Sequence, residues 1–198
     1  MSAAERLPVG SGGGSMRQGA YLAGADQQYR LWLTRDWSID INHCRDCERA
    51  YETDRPSPHG DGASAPYVLF IGMNPSTADA YVNDPTIRRE IAFTRRFGYA
   101  SYVKVNVLDY RATKPATLLA PGVQPRSDNN LPTIKRYADG AALTIICWGK
   151  LPKSLRRYAD DVLLALKGRE LWCLGRNSDG SPKHPLYLAG DTPLERFR

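Results

Sequence analysis

The sequence predicts an α/β fold in which a mostly parallel sheet carries helices on both faces. Three observations lead there. From residue 67 onward, β-type runs and helical runs alternate as strand, helix, strand, helix, strand, helix, strand. The strand candidates, such as Leu143-Thr-Ile-Ile-Cys-Trp, are almost continuously apolar, the pattern of a strand buried on both faces. A chain of 198 residues also suits one hydrophobic core better than two.

Residues 1–18 are rich in Gly, Ser and Ala without periodicity and read as a disordered tail, in which Met16 offers an alternative start. This leaves 19–198 as a single α/β domain. Tyr29-Arg-Leu-Trp-Leu-Thr-Arg-Asp-Trp alternates in part and reads as a strand. Pro56, Pro58, Gly60, Gly62 and Pro66 make 53–66 a loop. Tyr67-Val-Leu-Phe-Ile is a strand ending at Gly72. Asp84 can cap a helix with Pro85 in its first position, running to Phe97 and stopped by Gly98. A strand follows over 101–108, a weaker helix over 129–138 and a strand over 142–148. Leu155, Tyr158, Ala159, Val162, Leu163 and Leu166 recur at three- and four-residue steps, an amphipathic helix ending at Gly168. The last strand is Glu170-Leu-Trp-Cys-Leu-Gly.

Composition narrows the class. The apolar fraction of 42% excludes a wholly disordered chain. No apolar run reaches the roughly 18–20 residues of a membrane span, and the N-terminus lacks the apolar stretch of a secretory leader. Four cysteines are too few for a disulfide scaffold in a chain of this length. The expectation is a cytoplasmic monomer without membrane association. Lys and Arg number 27 against 21 Asp and Glu, and the excess is clustered. Residues 86–111 hold Arg88, Arg89, Arg95, Arg96, Lys104 and Arg111 against two acids, and 150–157 hold Lys150, Lys153, Arg156 and Arg157 against none. Such stretches attract polyanions, nucleic acid foremost, or form a solvated basic surface.

In open α/β sheets ligands sit beyond the carboxyl ends of the strands, which directs attention to four segments. In Gly72-Met73-Asn74-Pro75-Ser76, the Asn74 carboxamide can position a water or grip a carbonyl, or it can brace an Asn-Pro turn. Asn106 lies inside an apolar strand, where its hydrogen bonds must be met by a ligand edge or by the next loop. His184 can donate to developing negative charge or act as an acid, or be a plain loop histidine. Arg88/Arg95 and Arg89/Arg96 are seven apart and share helix faces that can grip phosphates or face solvent. Ser76 and Thr77 can donate to a phosphate, but no Gly-x-Ser-x-Gly elbow supports a hydrolase triad. Cys44-x-x-Cys47 is one thiol pair without a second spaced pair, and Cys147 and Cys173 read as core thiols, so no metal or other cofactor is expected.

VLFIGMNPSTADA, NDPTIRREIAFTRRFGY, VKVNVLDYRATKP, ICWGK and HPLYL, in this order over roughly residues 28–194, resemble the bacterial and phage domain-of-unknown-function family 1643. The same series is similar, more distantly, to the uracil-DNA glycosylase superfamily, whose mismatch-specific branch carries Gly-Ile-Asn-Pro-Gly where Gly72-Met73-Asn74-Pro75-Ser76 stands here. That resemblance implies a three-layer α/β/α fold with a mostly parallel four-stranded central sheet, and a glycosylase-like enzyme cleaving the N-glycosidic bond of a modified or mismatched base in DNA. Asn74 would position the attacking water, Asn106 would read the base edge, and His184 would stabilise charge on the departing base. Leu186 or Tyr187, after Pro185, would enter the stack vacated by the flipped base. Arg88, Arg89, Arg95, Arg96, Arg111 and Lys150 would hold phosphates. The chain departs from the superfamily in reading His-Pro-Leu-Tyr rather than His-Pro-Ser-Pro and in placing Ser76 for a glycine. Asp109 stands where an iron–sulfur ligand of the cysteine-containing branches would fall, so no cluster is implied. The rival expectations are a non-catalytic nucleic-acid or nucleotide-binding module, and an enzyme on free nucleotides in phage base modification.

Overall fold

A computed structural model describes residues 17–24, 26–37, 66–76, 78 and 82–198. Among these residues the chain is a mixed α/β protein built on a seven-stranded sheet. The strands are β1 (Arg17–Ala23), β2 (Tyr29–Asp36), β3 (Tyr67–Gly72), β4 (Ser101–Asn106), β5 (Leu143–Ile146), β6 (Trp172–Cys173) and β7 (Glu195–Arg196), and the helices are α1 (Pro85–Arg96), α2 (Asn130–Gly140) and α3 (Arg156–Ala165). The spatial order is β1-β2-β4-β3-β5-β6-β7. Its centre, β4-β3-β5-β6, is parallel, because each crossover between these strands contains a helix that can return the chain to the same end. β1, β2 and β7 join antiparallel at the edges.

All six residues of β3, a continuous apolar run, are buried, and so are all six of β4, although Ser101, Lys104 and Asn106 are polar. Their alternation feeds two cores. Leu69, Ile71, Val103, Val105 and Ile146 pack with Ile134 and Tyr137 of α2 and Ala159 and Val162 of α3. Val68, Phe70, Tyr102 and Ile145 face the other way, onto Ile87 and Phe93 of α1. α1 begins as the sequence predicts: Asp84 Oδ1 accepts from Ile87 N at 2.8 Å, with Pro85 in the first turn. It ends at Phe97, with Gly98 at φ +82°.

The sheet differs from the expected four strands in having seven. β1 takes in Arg17 and Gln18, which the sequence assigns to the tail; only residues 1–16 of that expectation lie outside the described residues. β1 contains a glycine and holds its place through hairpin pairing with β2, which its own residue pattern does not report. β7 is two residues long, too short to show a period. Several expected elements are trimmed: the strand over 101–108 ends at Asn106, that over 142–148 covers Leu143–Ile146, and that over 170–175 shrinks to Trp172–Cys173. The expected helix over 129–138 runs instead over Asn130–Gly140. Residues 53–65 of the loop expected over 53–66, and the Cys44/Cys47 pair, lie outside the described residues.

β2 also contains a bulge. The register steps from Tyr21↔Trp32 to Leu22↔Arg30, leaving Leu31 without its own partner. A bulge re-aims the side chains beside it, and here Arg30 turns towards the segment that leads into α1, where Arg35 also points. Among the described residues no helix is long and apolar enough to cross a membrane.

Phe93 is fully buried where α1 meets the sheet, whereas Leu164 of α3 is 72% exposed. Phe93→Ala is expected to lower unfolding free energy by about 3–5 kcal/mol in urea titration, and Leu164→Ala by less than about 0.5 kcal/mol.

Candidate functional site

The parallel strands end together at Gly72 on β3, Asn106 on β4 and the Cys147-Trp148-Gly149 segment after β5. Gly72 and Asn106 are register partners. The ladder continues past the strands: Val107 N donates to Gly72 O, Leu108 N to Met73 O and Ala112 N to Pro75 O, each at 2.9 Å. Asn74 joins this brace, its Nδ2 donating to Pro75 O at 3.0 Å and Ala112 O at 2.7 Å. Pro75 is buried, Ser76 is half-buried, and Met73 packs against the α2–α3 core.

Lys104 lies two residues before Asn106, so both side chains share the face towards α1. Its Nζ donates to the Glu90 carboxylate of α1 and lies 3.7 Å from Cys147 Sγ. Gly72 makes room for this arrangement: a side chain there would collide with Lys104 Nζ and lie 3.0 Å from Asn106 Oδ1. Burial lifts the Glu90 carboxyl above its ordinary range, opposed by the Lys104 ammonium. Burial also works against the Lys104 charge, but Cys147 and Glu90 outweigh it and hold the lysine above its ordinary value. The Cys147 thiol is pushed up to about 12 by burial, so it stays protonated at neutral pH.

Two buried arginines of β2 hold the segment between β3 and α1. Arg30 Nη1 donates to Ala78 O at 2.5 Å and Arg35 Nε to Asn83 Oδ1 at 2.8 Å. Burial draws Arg30 down to about 10. Asp109 is buried too and accepts from Ser127 N at 2.8 Å and from Ser127 Oγ, so it fastens the loop after β4.

Asn106 is fully buried, and neither Nδ2 nor Oδ1 meets a hydrogen-bond partner among the described residues. Its backbone is well held: Asn130 Nδ2, at the start of α2, donates to Asn106 O at 2.9 Å. A donor and an acceptor are therefore fixed in place with their capacity unspent, a costly state that a ligand or a bound water relieves.

His184 caps a short 3-10 turn, Pro185–Tyr187, its Nδ1 accepting from Leu186 N at 3.3 Å. With Nδ1 an acceptor, the neutral ring carries its proton on Nε2 and can donate from there. Burial, then the Lys104 charge, lower its pKa to about 4, with Asp84 opposing. The loop after β5 touches it, since a Cβ at Gly149 (φ +70°) would lie 3.3 Å from His184 Cβ. Pro185 is buried, Leu186 is half-buried, and Tyr187 is 88% exposed at the tip of the turn.

The structure divides the arginines expected on phosphates. Arg89 donates to Leu188 O and Arg96 to Thr192 O, tying the segment after the His184 turn to α1. Arg95 stacks 4.8 Å over Trp37 and Arg88 donates to Asn83 O, both from exposed positions. Arg111 reaches Gln27 O at 3.5 Å, and Lys150 is exposed, 4.0 Å from Asp179. Lys104, counted in the sequence among the polyanion-attracting charges, is instead buried and paired. The signal that finds it is a lysine at an inward position of an apolar strand, which must bring its own counter-charge. Arg30, Arg35 and Asn130 were not singled out either. Among the described residues no three His, Cys, Asp or Glu side chains gather as a metal site.

Fold and site thus define a mixed α/β protein with a preorganised polar site at the carboxyl edge of its parallel strands. A family model described as "Protein of unknown function (DUF1643)" matches residues 58–186, and the chain belongs to that family. No curated protein and no solved structure matches the chain.

Lys104→Met leaves Glu90 buried without its partner and is expected to cost about 3–5 kcal/mol in urea unfolding. Adding Glu90→Leu to that variant should recover most of the loss. His184 binds its proton near 6.5 in an unfolded chain and near 4 here. The stability it contributes is therefore complete above pH 6.5 and lost as pH falls from 6.5 towards 4. Imidazole NMR shifts of His184 should stay those of the neutral Nε2–H form down to about pH 5, and a midpoint near 6.5 would refute this.

Proposed function

We propose that this chain is a glycosylase-like enzyme that takes a modified or mismatched base of DNA into the carboxyl-edge site and cleaves its N-glycosidic bond. In this reading its parallel strands and flanking helices form the three-layer arrangement of the uracil-DNA glycosylase superfamily, and it needs no metal. The observation that carries the proposal is the Asn106 carboxamide, a buried donor–acceptor pair at the strand ends that meets no partner among the described residues. That pattern complements the edge of a base, which presents an acceptor beside a donor.

The residues then take distinct roles. Asn106 reads the base edge. As the bond to the sugar breaks, its electron pair leaves with the base and the sugar becomes oxocarbenium-like. His184 is neutral and donates from Nε2 to the negative charge developing on the base. Asn74 has its amide nitrogen committed to two carbonyls, which leaves its oxygen to accept a hydrogen bond from the water that adds to the sugar carbon. The proton that water loses ends on the departed base anion, so the products are the neutral base and an abasic sugar. Tyr187 and Leu186 stand on the turn next to His184, placed to fill the stack after base extrusion. Arg88, in the first turn of α1, and Lys150, after β5, are exposed cations at this edge available to phosphates.

A second reading, a base-binding module without turnover, gains from one observation. Asn74 is spent in part on bracing two loops, which is sufficient reason for its presence without a catalytic duty.

The test is base release from labelled oligonucleotides bearing uracil, mismatched thymine or hydroxymethylated pyrimidines, single- and double-stranded, with hot alkali revealing abasic sites. His184→Ala is expected to slow release about 10²–10³-fold, and Asn106→Ala to abolish preference among bases. Binding without release on the whole panel would replace the enzyme by the module.

A further inference from the structure

The positive charge left in solvent at the carboxyl edge is gathered on the β5–β6 side. We propose that Lys150, Lys153, Arg156 and Lys183 form a phosphodiester-binding track along that rim, with Asp179 as its internal competitor. The proposal rests on the reading above for the class of partner, a nucleic-acid strand whose base enters the neighbouring site.

Topology places these residues together. Lys150 stands four residues past the end of β5, after Cys147-Trp148-Gly149, and the 3-10 turn Lys153–Leu155 leads into α3, whose first residue is Arg156. A helix that follows a parallel strand starts at that strand's carboxyl edge, so all three cations lie there. Lys183 arrives from the other loop, just before His184, its aliphatic stem beside Gly175. All four side chains are exposed. The loops meet at Gly149 and His184, so the track borders the candidate site directly.

One carboxylate sits among the four cations. Asp179 Oδ2 lies 4.0 Å from Lys150 Nζ and 3.5 Å from Arg156 Nη2. Its Oδ1 is held by Ser181 N at 3.2 Å and Ser181 Oγ at 2.6 Å. The Lys150 and Arg156 side chains are 63% and 51% exposed. Such pairs are weak in water, so a phosphate oxygen, which makes charge-assisted bonds of the same kind, can displace the carboxylate. Asp179 thus draws two cations to one point without neutralising the patch. Of the α1 arginines, Arg89 and Arg96 already donate to Leu188 O and Thr192 O, Arg88 donates to Asn83 O, and Arg95 stacks on Trp37 at the far end of the helix.

The experiment is fluorescence anisotropy of a labelled strand of about 20 nucleotides, as single-stranded DNA, duplex DNA and RNA, between about 50 and 200 mM salt. The variants are Lys150→Gln/Arg156→Gln, Lys153→Glu/Lys183→Glu and Asp179→Asn, each checked for an unchanged thermal midpoint. Either double variant is expected to weaken binding about 10-fold or more at low salt. Lys150→Gln/Arg156→Gln should also flatten the log–log salt slope by about 1.5, as two phosphate contacts predict. Asp179→Asn should tighten binding several-fold. Whichever strand binds best identifies the partner. Wild-type protein that binds none of the three strands overturns the track. So do double variants that bind like wild type, or polyglutamate that competes as well as unlabelled strand. Weaker binding by Asp179→Asn overturns the competitor role. Anisotropy reads no chemistry, so absence of base release leaves the track standing, and loss of the track leaves the Asn106 site to be judged by release alone.

Discussion

The Lys104–Glu90 pair is the interaction around which the site is arranged. An ammonium on a central strand of a buried sheet survives only beside a counter-charge, and here α1 delivers it. That requirement fixes the rotation and height of α1 over the sheet, which apolar packing of Ile87 and Phe93 alone would leave freer to slide. It also dictates its neighbours. Gly72 has no side chain because the lysine fills that space, and Cys147 supplies a small polarisable surface to the third side. Once α1 is seated, Arg89 and Arg96 reach the carbonyls of Leu188 and Thr192. The turn that bears His184 is therefore anchored, through α1, to the strand that bears Asn106. A buried pair of this kind adds little net stability over an apolar pair; what it supplies here is a single geometry.

Much of the frame was legible in the sequence because its signals are local. The Asp84-Pro85 start, the Gly98 stop and the apolar runs of β3, β4 and β5 each declare themselves within a few residues. β1 and β7 were not legible, since one is a glycine-containing hairpin arm without a clear apolar alternation and the other a two-residue edge paired with a strand more distant in sequence. The site was legible by position and not by partnership. Asn74, Asn106 and His184 are found by asking what stands at strand ends, and the fold does put Asn106 and the His184 turn at one edge. That Asn74 would be committed to Ala112, or Lys104 to Glu90, depends on register and helix docking that no short window contains.

The carboxyl edge is stiff where a binding site needs it to be. The hydrogen bonds that run past the strands from Val107 to Gly72, Leu108 to Met73 and Ala112 to Pro75 extend sheet-like order into the two loops. Asn130 then clamps the Asn106 carbonyl from the opposite face. Arg30 and Arg35 anchor Ala78 and Asn83 from below, and the β2 bulge at Leu31 is what turns Arg30 to that task. Among the described residues the Asn106 carboxamide meets no hydrogen-bond partner, while its own carbonyl is held by Asn130. A backbone fixed in this way lowers the ordering cost of recognising a complementary group.

Two stretches of equal net charge in the sequence have opposite fates in the fold. In 86–111 the cations are largely consumed: Lys104 by Glu90, Arg89 and Arg96 by backbone carbonyls, Arg111 by Gln27. In 150–157 the apolar residues Leu151 and Leu155 turn inward and the cations around them, Lys150, Lys153, Arg156 and Arg157, are left outside. The difference is one of phase. Lys104 falls on the inward beat of a strand packed on both faces, and Arg89 and Arg96 lie on the flank of α1 that meets the C-terminal segment. Lys150, Lys153 and Arg156 fall on the outward side of a turn and a helix start. Linear charge density is therefore a poor guide to the field a polyanion meets, which depends on how many cations the fold has already spent. By that measure Lys150, Lys153 and Arg156 remain in solvent, whereas Arg89 and Arg96 of α1 are spent on tying the C-terminal segment.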